Sequence, residues 1–186
     1  VSTDTRTLKP GDIYVALTGP NFDGHDFLEK AEARGAAAIV CARGTSEVPS
    51  GICCIGVKDT LTALGDLAAW YRRRFSTHVI AVTGSNGKTT TKDMIHHVLS
   101  EFYDTVKCDE SFNNFVGVPL SIFKIGRRTK YAVLEMGTNA PREISRLSKI
   151  ARPNSAVLTG ISESHIEGLE NIDGVMAAKA EITHGM

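Results

Sequence analysis

The stretch of sequence that decides the fold is Val79-Ile80-Ala81-Val82-Thr83-Gly84-Ser85-Asn86-Gly87-Lys88-Thr89-Thr90-Thr91. An apolar, β-branched run leads into a glycine-bounded loop that ends in Gly-Lys-Thr, and a helix-compatible segment follows. In such an order the strand delivers the chain to the edge of a sheet, the glycines let backbone N–H groups turn toward an anion, and the helix N-terminus adds partial positive charge. The order therefore predicts a nucleoside-triphosphate site. The alternative is a tight strand-to-helix turn whose lysine is only solvated.

The individual residues of this loop have distinct predicted roles. Lys88 can reach the β- and γ-phosphates, and the Thr89 hydroxyl can hold Mg²⁺. One departure is visible, because the general phosphate-loop pattern has a glycine where Val82 stands. The residues predicted to bind the nucleotide are Gly84, Ser85, Asn86, Gly87, Lys88, Thr89 and Thr90.

Composition excludes several classes of partner. In 186 residues, Lys+Arg and Asp+Glu are both 21, so no net field attracts nucleic acid or an anionic membrane. No apolar stretch approaches bilayer length, and we expect no membrane association. The densest basic run, Arg72-Arg73-Arg74, is typical of a solvated last helical turn, where cations suit the helix dipole.

The four cysteines carry no evident chemistry. Cys41, Cys53 and Cys54 lie in apolar, strand-like runs, and adjacent cysteines do not present a metal-binding Cys-x-x-Cys spacing. With Cys108 they are predicted to be small buried thiols in a reducing cytoplasm.

Strands and helices alternate along almost the whole chain, which predicts an α/β fold. The apolar strands are short and do not alternate with polar residues, as in a parallel sheet covered on both faces. A boundary near residues 75–78 divides a small α/β module, residues 1–76, from the start of a nucleotide-binding domain, residues 77–186. The predicted strands are Ile13–Leu17, Ala37–Cys41, Ile52–Val57, His78–Val82, Thr105–Cys108, Tyr131–Glu135 and Ala156–Thr159. The predicted helices are Asp26–Arg34, Thr60–Phe75, Lys88–Ser100, Val116–Phe123, Pro141–Ile150 and Ile172–His184.

Three ionisable residues lie where a parallel sheet collects ligands, beyond the carboxyl ends of its strands. Glu135 closes an apolar strand and could hold Mg²⁺ or orient water, or it could be a surface glutamate. His165 follows the strand Ala156–Thr159, and a lone histidine is more often structural than functional. Lys179 lies on an alanine-rich helix, where composition alone indicates a solvated surface lysine.

Two adjacent amides, Asn113 and Asn114, precede a predicted helix start. They could cap that helix or contact a ligand, and the hydrogen-bonding groups of asparagine suit both roles equally.

With these motifs in order, the chain resembles the Mur ligase family, the ATP-dependent amide ligases of peptidoglycan synthesis. Thr83–Thr90 is similar to that family's form of the phosphate loop, which does not require a glycine at the Val82 position. The likeness runs from one end of the chain to the other. The other stretches that carry it are Thr3–Arg6 with Pro10–Asp12, Phe22–Phe27, Phe112–Asn114 with Gly117–Leu120, and His165–Gly168 before Ala178–Ile182.

The resemblance implies a fold and a set of site residues. The fold is a small N-terminal α/β module that binds a UDP-linked substrate, followed by the first part of a parallel-sheet ATPase domain. ATP and Mg²⁺ are the implied cofactors, with Lys88, His165 and Lys179 as catalytic residues. Thr89, Glu135, His165 and a carbamylated Lys179 are the implied metal ligands, the carbamate turning a cation into an oxygen ligand. The implied substrate contacts are Thr3, Asp4, Thr5, Arg6, Asp23, Gly24, His25, Asn113 and Asn114.

The resemblance also implies the reaction and its partners. ATP would phosphorylate the terminal carboxylate of UDP-N-acetylmuramoyl-tripeptide, and the amine of D-alanyl-D-alanine would displace the phosphate. The implied enzyme is a monomer of the bacterial cytoplasm. Because the family needs a larger ATPase domain and a C-terminal domain, we expect the 186-residue piece to be a fragment that is inactive alone. Two alternatives remain: a sibling ligase that adds diaminopimelate or lysine to the muramoyl-dipeptide, and a non-catalytic phosphate-loop module.

Overall fold

A parallel sheet organises each of two units, Val1–Leu64 and Gly65–Met186. The computed structural model describes residues 1–109, 112–162, 169 and 171–186. An α/β chain with parallel sheets was predicted from the sequence, and this is confirmed by the sheet pairings.

The first unit contains a three-stranded parallel sheet of order β1-β4-β5 and a short antiparallel hairpin, β2-β3. Its core is apolar, with Tyr14, Leu28 and Ile39 among its most buried side chains. The hairpin was not predicted, because two strands of two residues leave no detectable period. The elements are β1 (Ile13–Val15), β2 (Thr18–Gly19), β3 (Phe22–Asp23), a 3₁₀ helix (Gly24–Phe27), α1 (Leu28–Ala33), β4 (Ala38–Ala42) and β5 (Cys53–Val57).

The second unit contains a parallel sheet of order β7-β8-β6-β9. Strands β8 and β9 flank β6 on its two sides, so their carboxyl ends meet at one sheet edge. Helix α2 (Thr60–Arg72) begins in the first unit and ends in the second. The further elements are β6 (His78–Thr83), α3 (Lys88–Ser100), β7 (Thr105–Lys107), α4 (Gly117–Ile122), β8 (Tyr131–Glu135), α5 (Glu143–Ala151), β9 (Ser155–Leu158), α6 (Ile172–Ala180) and a 3₁₀ helix (Glu181–Gly185).

The division into units lies inside α2, about a dozen residues before the predicted domain boundary at 76/77. Ala68 and Ala69, near the end of α2, are part of the hydrophobic core of the second unit together with Val79 and Leu134. The end of α2 therefore belongs structurally with the second sheet. The domain boundary proper remains a prediction.

Two expectations about surface and burial are wrong. Arg72 is not solvated: it is 6% exposed, and its guanidinium donates to the carbonyls of Phe75, Thr77 and Ala151. Cys53 is exposed rather than buried, because β5 is the edge strand of its sheet. Among the residues that the structure describes, no helix is long and apolar enough to cross a membrane.

Candidate active site

The loop between β6 and α3 has the backbone of a phosphate cradle. Gly87 has a φ of 78°, a left-handed conformation that favours glycine, and α3 begins at the next residue. The Lys88 ammonium donates to the carbonyls of Gly84 and Ser85, at 2.9 and 3.2 Å. An ammonium has three N–H donors, so one remains for an anion above the loop.

Ser85 and Asn86, two of the predicted nucleotide ligands, direct their side chains to the segment after β9. The Ser85 hydroxyl accepts from the Ser162 amide at 2.9 Å, and the Asn86 amide donates to the Ser162 hydroxyl at 3.1 Å. A Cβ at Gly84 would collide with Thr159 of the same segment. These residues hold the carboxyl ends of β6 and β9 together, and the Ser85 N–H adds to this contact by donating to the Gly160 carbonyl at 2.8 Å. The backbone N–H groups that follow Ser85 are therefore the ones that could contact phosphate. Thr90 is exposed on the first turn of α3.

Glu135 ends β8 directly beside Val82 of β6 and is 3% exposed. Its carboxylate accepts from the Thr89 hydroxyl and from the Asn113 side-chain amide, both at 2.9 Å. Both donors are neutral, so this buried carboxylate has no counter-charge among the described residues that bond to it. A buried carboxylate is normally paired or bound to a metal, and a cation at this position would meet that need.

The backbone of Glu135 is itself anchored by a group that the sequence did not reveal. Its N–H donates to the Cys108 thiol sulfur at 3.1 Å, and the carbonyl of Cys108 accepts from the buried Lys92 ammonium at 3.3 Å. Burial raises the pKa of the Cys108 thiol. Cys108 is thus a neutral structural contact beneath the site, as small buried thiols often are.

The two adjacent asparagines divide the two roles left open by the sequence. The Asn114 side chain accepts from the backbone N–H groups of Val116 and Gly117, at 3.0 and 2.9 Å, and so caps the start of α4. Asn113 instead reaches the end of β8, donating through its side chain to Glu135 and accepting through its backbone from Gly137. Of the pair, Asn113 is the one positioned at the carboxylate.

Lys179 is not a surface lysine: it is 1% exposed and lines a cavity of about 250 Å³ together with Lys88. Burial lowers the pKa of Lys179, and the charge of Lys88 lowers it further. No hydrogen bond or ion pair to its ammonium is present within the described part of the chain. The full set lining the cavity is Lys88, Asn113, Asn114, Phe115, Gly137, Thr138, Asn139, Glu143, Leu147 and Lys179.

The remaining predicted metal ligand, His165, lies outside the described residues. Among those that are described, no group of three His, Cys, Asp or Glu side chains converges. The oxygen donors that could hold a hard divalent cation are Thr89 and Glu135, and two such ligands with phosphate oxygens and water suit Mg²⁺. The residues present therefore fit the implied metal.

Sequence reasoning missed one wall of the cavity, the turn after β8. Glu143, at the start of α5, accepts from the N–H groups of Asn139 and Ala140, at 2.7 and 3.2 Å, and from the Thr138 hydroxyl at 3.0 Å. The available signal was the position of this turn, since residues that directly follow the carboxyl end of a parallel strand lie at the ligand edge.

The first unit has its own cavity, of about 450 Å³, at the N-terminal segment. Asp4 binds the Arg6 guanidinium, with distances of 2.7–3.0 Å, and this pairing lowers the pKa of Asp4. Cationic and aromatic side chains thus surround a half-open space in this unit. The lining residues are Thr3, Asp4, Thr5, Arg6, Tyr14, Phe22, Gly24, Phe27 and Lys30.

Two predicted substrate residues, Asp23 and His25, do not line this cavity. His25 Nε2 accepts from the Ala42 backbone N–H at 2.9 Å, so Nδ1 carries the proton and donates to Asp23 at 2.6 Å. Asp23 also accepts from the His25 backbone N–H and caps the 3₁₀ helix. Both ring nitrogens of His25 are thus occupied by contacts within the unit, whereas the neighbouring Gly24 does line the cavity.

Comparison with known proteins adds independent information. The family model described as Mur ligase middle domain matches residues 82–186, and the one described as Mur ligase family, catalytic domain, matches residues 1–72. The UDP-N-acetylmuramoyl-tripeptide–D-alanyl-D-alanine ligase of Bacillus subtilis (strain 168) is 47% identical over 186 residues, 100% of this chain and 41% of that protein. MurF from Acinetobacter baumannii superposes with a TM-score of 0.89 at 37% identity, covering 97% of this chain and 40% of that one. MurF from Thermotoga maritima, in complex with ADP, gives 0.88 at 34% identity, covering 99% and 42%. The chain spans about two-fifths of the length of these relatives.

Proposed function

The chain belongs to the Mur ligase family, and from this premise we propose that it serves an ATP-dependent ligase that joins D-alanyl-D-alanine to UDP-N-acetylmuramoyl-tripeptide. The observation that supports the proposal most is the shared cavity of Lys88 and Lys179, beside the contact of Thr89 with Glu135. Glu135 and Lys179 lie far along the sequence from the adjacent Lys88 and Thr89, and these contacts bring the four residues to one edge of the sheet.

The first chemical step brings two anions together, so its barrier is largely electrostatic. A carboxylate oxygen of the tripeptide attacks the γ-phosphorus of ATP, an O–P bond forms, and the bond to ADP breaks. Lys88 and the N–H groups of residues 86–89 would hold the phosphates in place and offset their charge. Fixed donors in a partly enclosed site offset charge more effectively than water does.

Mg²⁺ would be held by Thr89 and Glu135, with His165 as a further proposed ligand. When bound, the metal supplies charge neutralisation on the phosphoryl oxygens. Asn113 keeps the Glu135 carboxylate oriented, since it bonds the Oε1 atom while Thr89 bonds Oε2.

Lys179 is proposed to act as a carbamate. Its neutral amine nitrogen would add to CO₂: an N–C bond forms, one C–O π pair moves to oxygen, and the nitrogen releases a proton to solvent. The lowered pKa of Lys179 increases the neutral fraction that this addition requires. The product carries an oxygen anion that pairs with a cation rather than repelling one.

In the second step the dipeptide amine attacks the acyl carbon, the C–O bond to phosphate breaks, and the amine nitrogen loses a proton. Here the site contributes chiefly by holding the two reactants in contact. The cavity of the first unit, with Arg6 and Lys30, is proposed to bind the UDP end of the substrate. A cytoplasmic location is part of the proposal, and four free cysteines favour it.

Nucleotide binding is tested with the 186-residue chain and two lysine variants. Titration calorimetry with Mg-ATP should show that Lys88→Met loses about tenfold or more in affinity, a loss of 1.4 kcal/mol. Lys149→Met, which removes an exposed lysine of α5, is the matched control and should bind as the parent does. Equal affinity in all three proteins would refute the proposed role of Lys88 and its loop in nucleotide binding.

Acceptor choice is tested with the natural protein that carries this sequence. ATP turnover is measured with UDP-N-acetylmuramoyl-tripeptide and D-alanyl-D-alanine, and with the muramoyl-dipeptide and free diaminopimelate or lysine. We expect amide formation only with D-alanyl-D-alanine. Joining of a free diamino acid alone would instead identify the sibling ligase.

A further inference from the structure

Helix α5 begins without a cap from its own sequence, although its first turn forms one wall of the cavity. The residue before the helix is Arg142, whose side chain makes no capping hydrogen bond. Its φ of 71° is left-handed, which costs a non-glycine residue about 1–2 kcal/mol. Such a conformation persists only where the surrounding structure holds it.

The missing cap comes from Glu181, in the 3₁₀ helix that directly follows α6. One carboxylate oxygen of Glu181 accepts from the Arg142 N–H at 2.8 Å, and the other accepts from the Ser145 N–H at 3.0 Å. A carboxylate at a helix N-terminus also gains from the helix dipole. Glu181 therefore satisfies two N–H groups and fixes the strained peptide in one contact.

This contact joins the two walls of the cavity. On one side, Glu143 carries the turn that contains Thr138 and Asn139. On the other side, Lys179 lies two residues before Glu181. A further hydrogen bond joins α5 to the same 3₁₀ helix, since the His184 ring contacts the Ser145 hydroxyl at 3.0 Å.

We propose that Glu181 is a positioning residue of the site, which sets the placement of Lys179 opposite the turn 137–142 by capping α5 from a distance. The inference rests on the proposed function in one respect, because it assumes that Lys179 takes part in the reaction. Glu181→Gln keeps the size of the side chain but replaces one of the two acceptor oxygens with a donor, so one N–H must lose its partner.

The first measurement is amide hydrogen exchange at Asn139 and Ala140 in the 186-residue chain. Glu181→Gln should accelerate their exchange about tenfold or more, because the turn opens when α5 loses its cap. Glu101→Gln, at the exposed end of α3, is the matched control and should leave both rates unchanged.

Arg142→Gly separates positioning from general stabilisation. Glycine adopts the left-handed conformation without strain, so in this background Glu181→Gln should accelerate exchange by only about threefold or less. If the single Glu181→Gln variant does not fold, exchange in the Arg142→Gly chain is compared with and without Glu181→Gln, and an acceleration of about tenfold or more there would also overturn the proposal. Equal acceleration in both backgrounds would overturn the proposal.

The second measurement is the fraction of Lys179 carrying a carbamate, detected by ¹³C NMR in ¹³C-bicarbonate. Glu181→Gln should lower this fraction about threefold, and adding Arg142→Gly should restore it. An unchanged fraction would overturn the link to Lys179. If the parent chain shows no carbamate while the exchange pattern holds, the carbamate proposal fails and the role of Glu181 at the turn stands.

Discussion

Replacing Arg72 with methionine should strongly destabilise the second unit, although three arginines in a row look interchangeable in the sequence. The Arg72 guanidinium donates to the carbonyls of Ala151, Phe75 and Thr77 at 2.9, 2.9 and 2.8 Å. It thereby joins the end of α2, the segment before β6 and the end of α5. Burial and the nearby charge of Arg152 lower the pKa of Arg72, so its charge is held at a cost.

The magnitude follows from two opposing contributions. Each hydrogen bond to a charged group contributes about 1.5–3 kcal/mol, and methionine replaces none of the three. Removing the buried charge recovers part of its desolvation penalty, which is several kcal/mol for a buried ion. Because this recovery offsets part of the loss of the three hydrogen bonds, we expect Arg72→Met to lower the free energy of unfolding by about 3 kcal/mol.

The assay is urea unfolding followed by the fluorescence of Trp70, the single tryptophan of the chain, which lies on α2 within the second unit. With a slope of about 2 kcal/mol per molar urea, the midpoint should fall by about 1.5 M. Arg73→Met is the matched control, because Arg73 is exposed and makes one bond of 3.2 Å, to the Ala69 carbonyl. If Arg72→Met and Arg73→Met shift the midpoint equally, the reasoning is wrong. Arg72→Lys, which keeps the charge without the planar fork, should recover little of the loss.

Three further predictions concern Lys179, the asparagine pair and His25. Because the pKa of Lys179 is lowered below 10.5 in the folded chain, the unfolded chain binds its proton more tightly, and stability should rise as pH rises through the folded pKa toward 10.5. The Lys179→Met variant should lack that rise and should be more stable than the parent chain at neutral pH. Urea unfolding at several pH values in this range measures the free energy of unfolding, and the same dependence on pH in both proteins would contradict the prediction. Asn114→Ala should cost about 1 kcal/mol in urea unfolding because α4 loses its cap, whereas Asn113→Ala should chiefly weaken Mg-ATP binding; a reversed pattern would exchange their roles. His25→Ala leaves the Ala42 N–H unpaired and should destabilise the first unit by about 1–3 kcal/mol, as measured by unfolding monitored with circular dichroism. If stability is unchanged and substrate binding is weaker, His25 has the predicted role of a substrate ligand.

The parts of the fold that the sequence predicted are those specified by neighbouring residues. Strand β8 has its predicted bounds, Tyr131–Glu135, because an apolar run ends there in a charged residue. Helix α3 likewise has its predicted bounds, Lys88–Ser100, because Gly87 supplies the left-handed residue that precedes it. Parallel strands bring their carboxyl ends to one edge, so the sequence placed Glu135 at the same edge as the phosphate loop. The contact of Thr89 with Glu135 also requires β8 to lie beside β6, which the sequence did not predict.

The parts that escaped prediction depend on contacts between distant residues. Helix α5 begins at Glu143 rather than at Pro141, and its cap, Glu181, lies 39 residues from Arg142. No local pattern distinguishes Glu181 from other surface glutamates. The same limit applies to Arg72, whose acceptor on Ala151 is 79 residues away. Short-range periodicity contains no information about such partners.

The charges around the cavity explain why this edge suits a phosphate-transfer site. Lys88 and Lys179 both line it, and the pKa of Lys179 is lowered by burial and by the charge of Lys88. Such a pair is relieved either by a polyanion between them or by loss of one ammonium charge. Glu135 has the opposite need, since its donors among the described residues, Thr89 and Asn113, are both neutral. Under the proposed function, a nucleotide phosphate that arrives with a divalent cation would satisfy both at once, and a carbamate on Lys179 would remove the remaining repulsion.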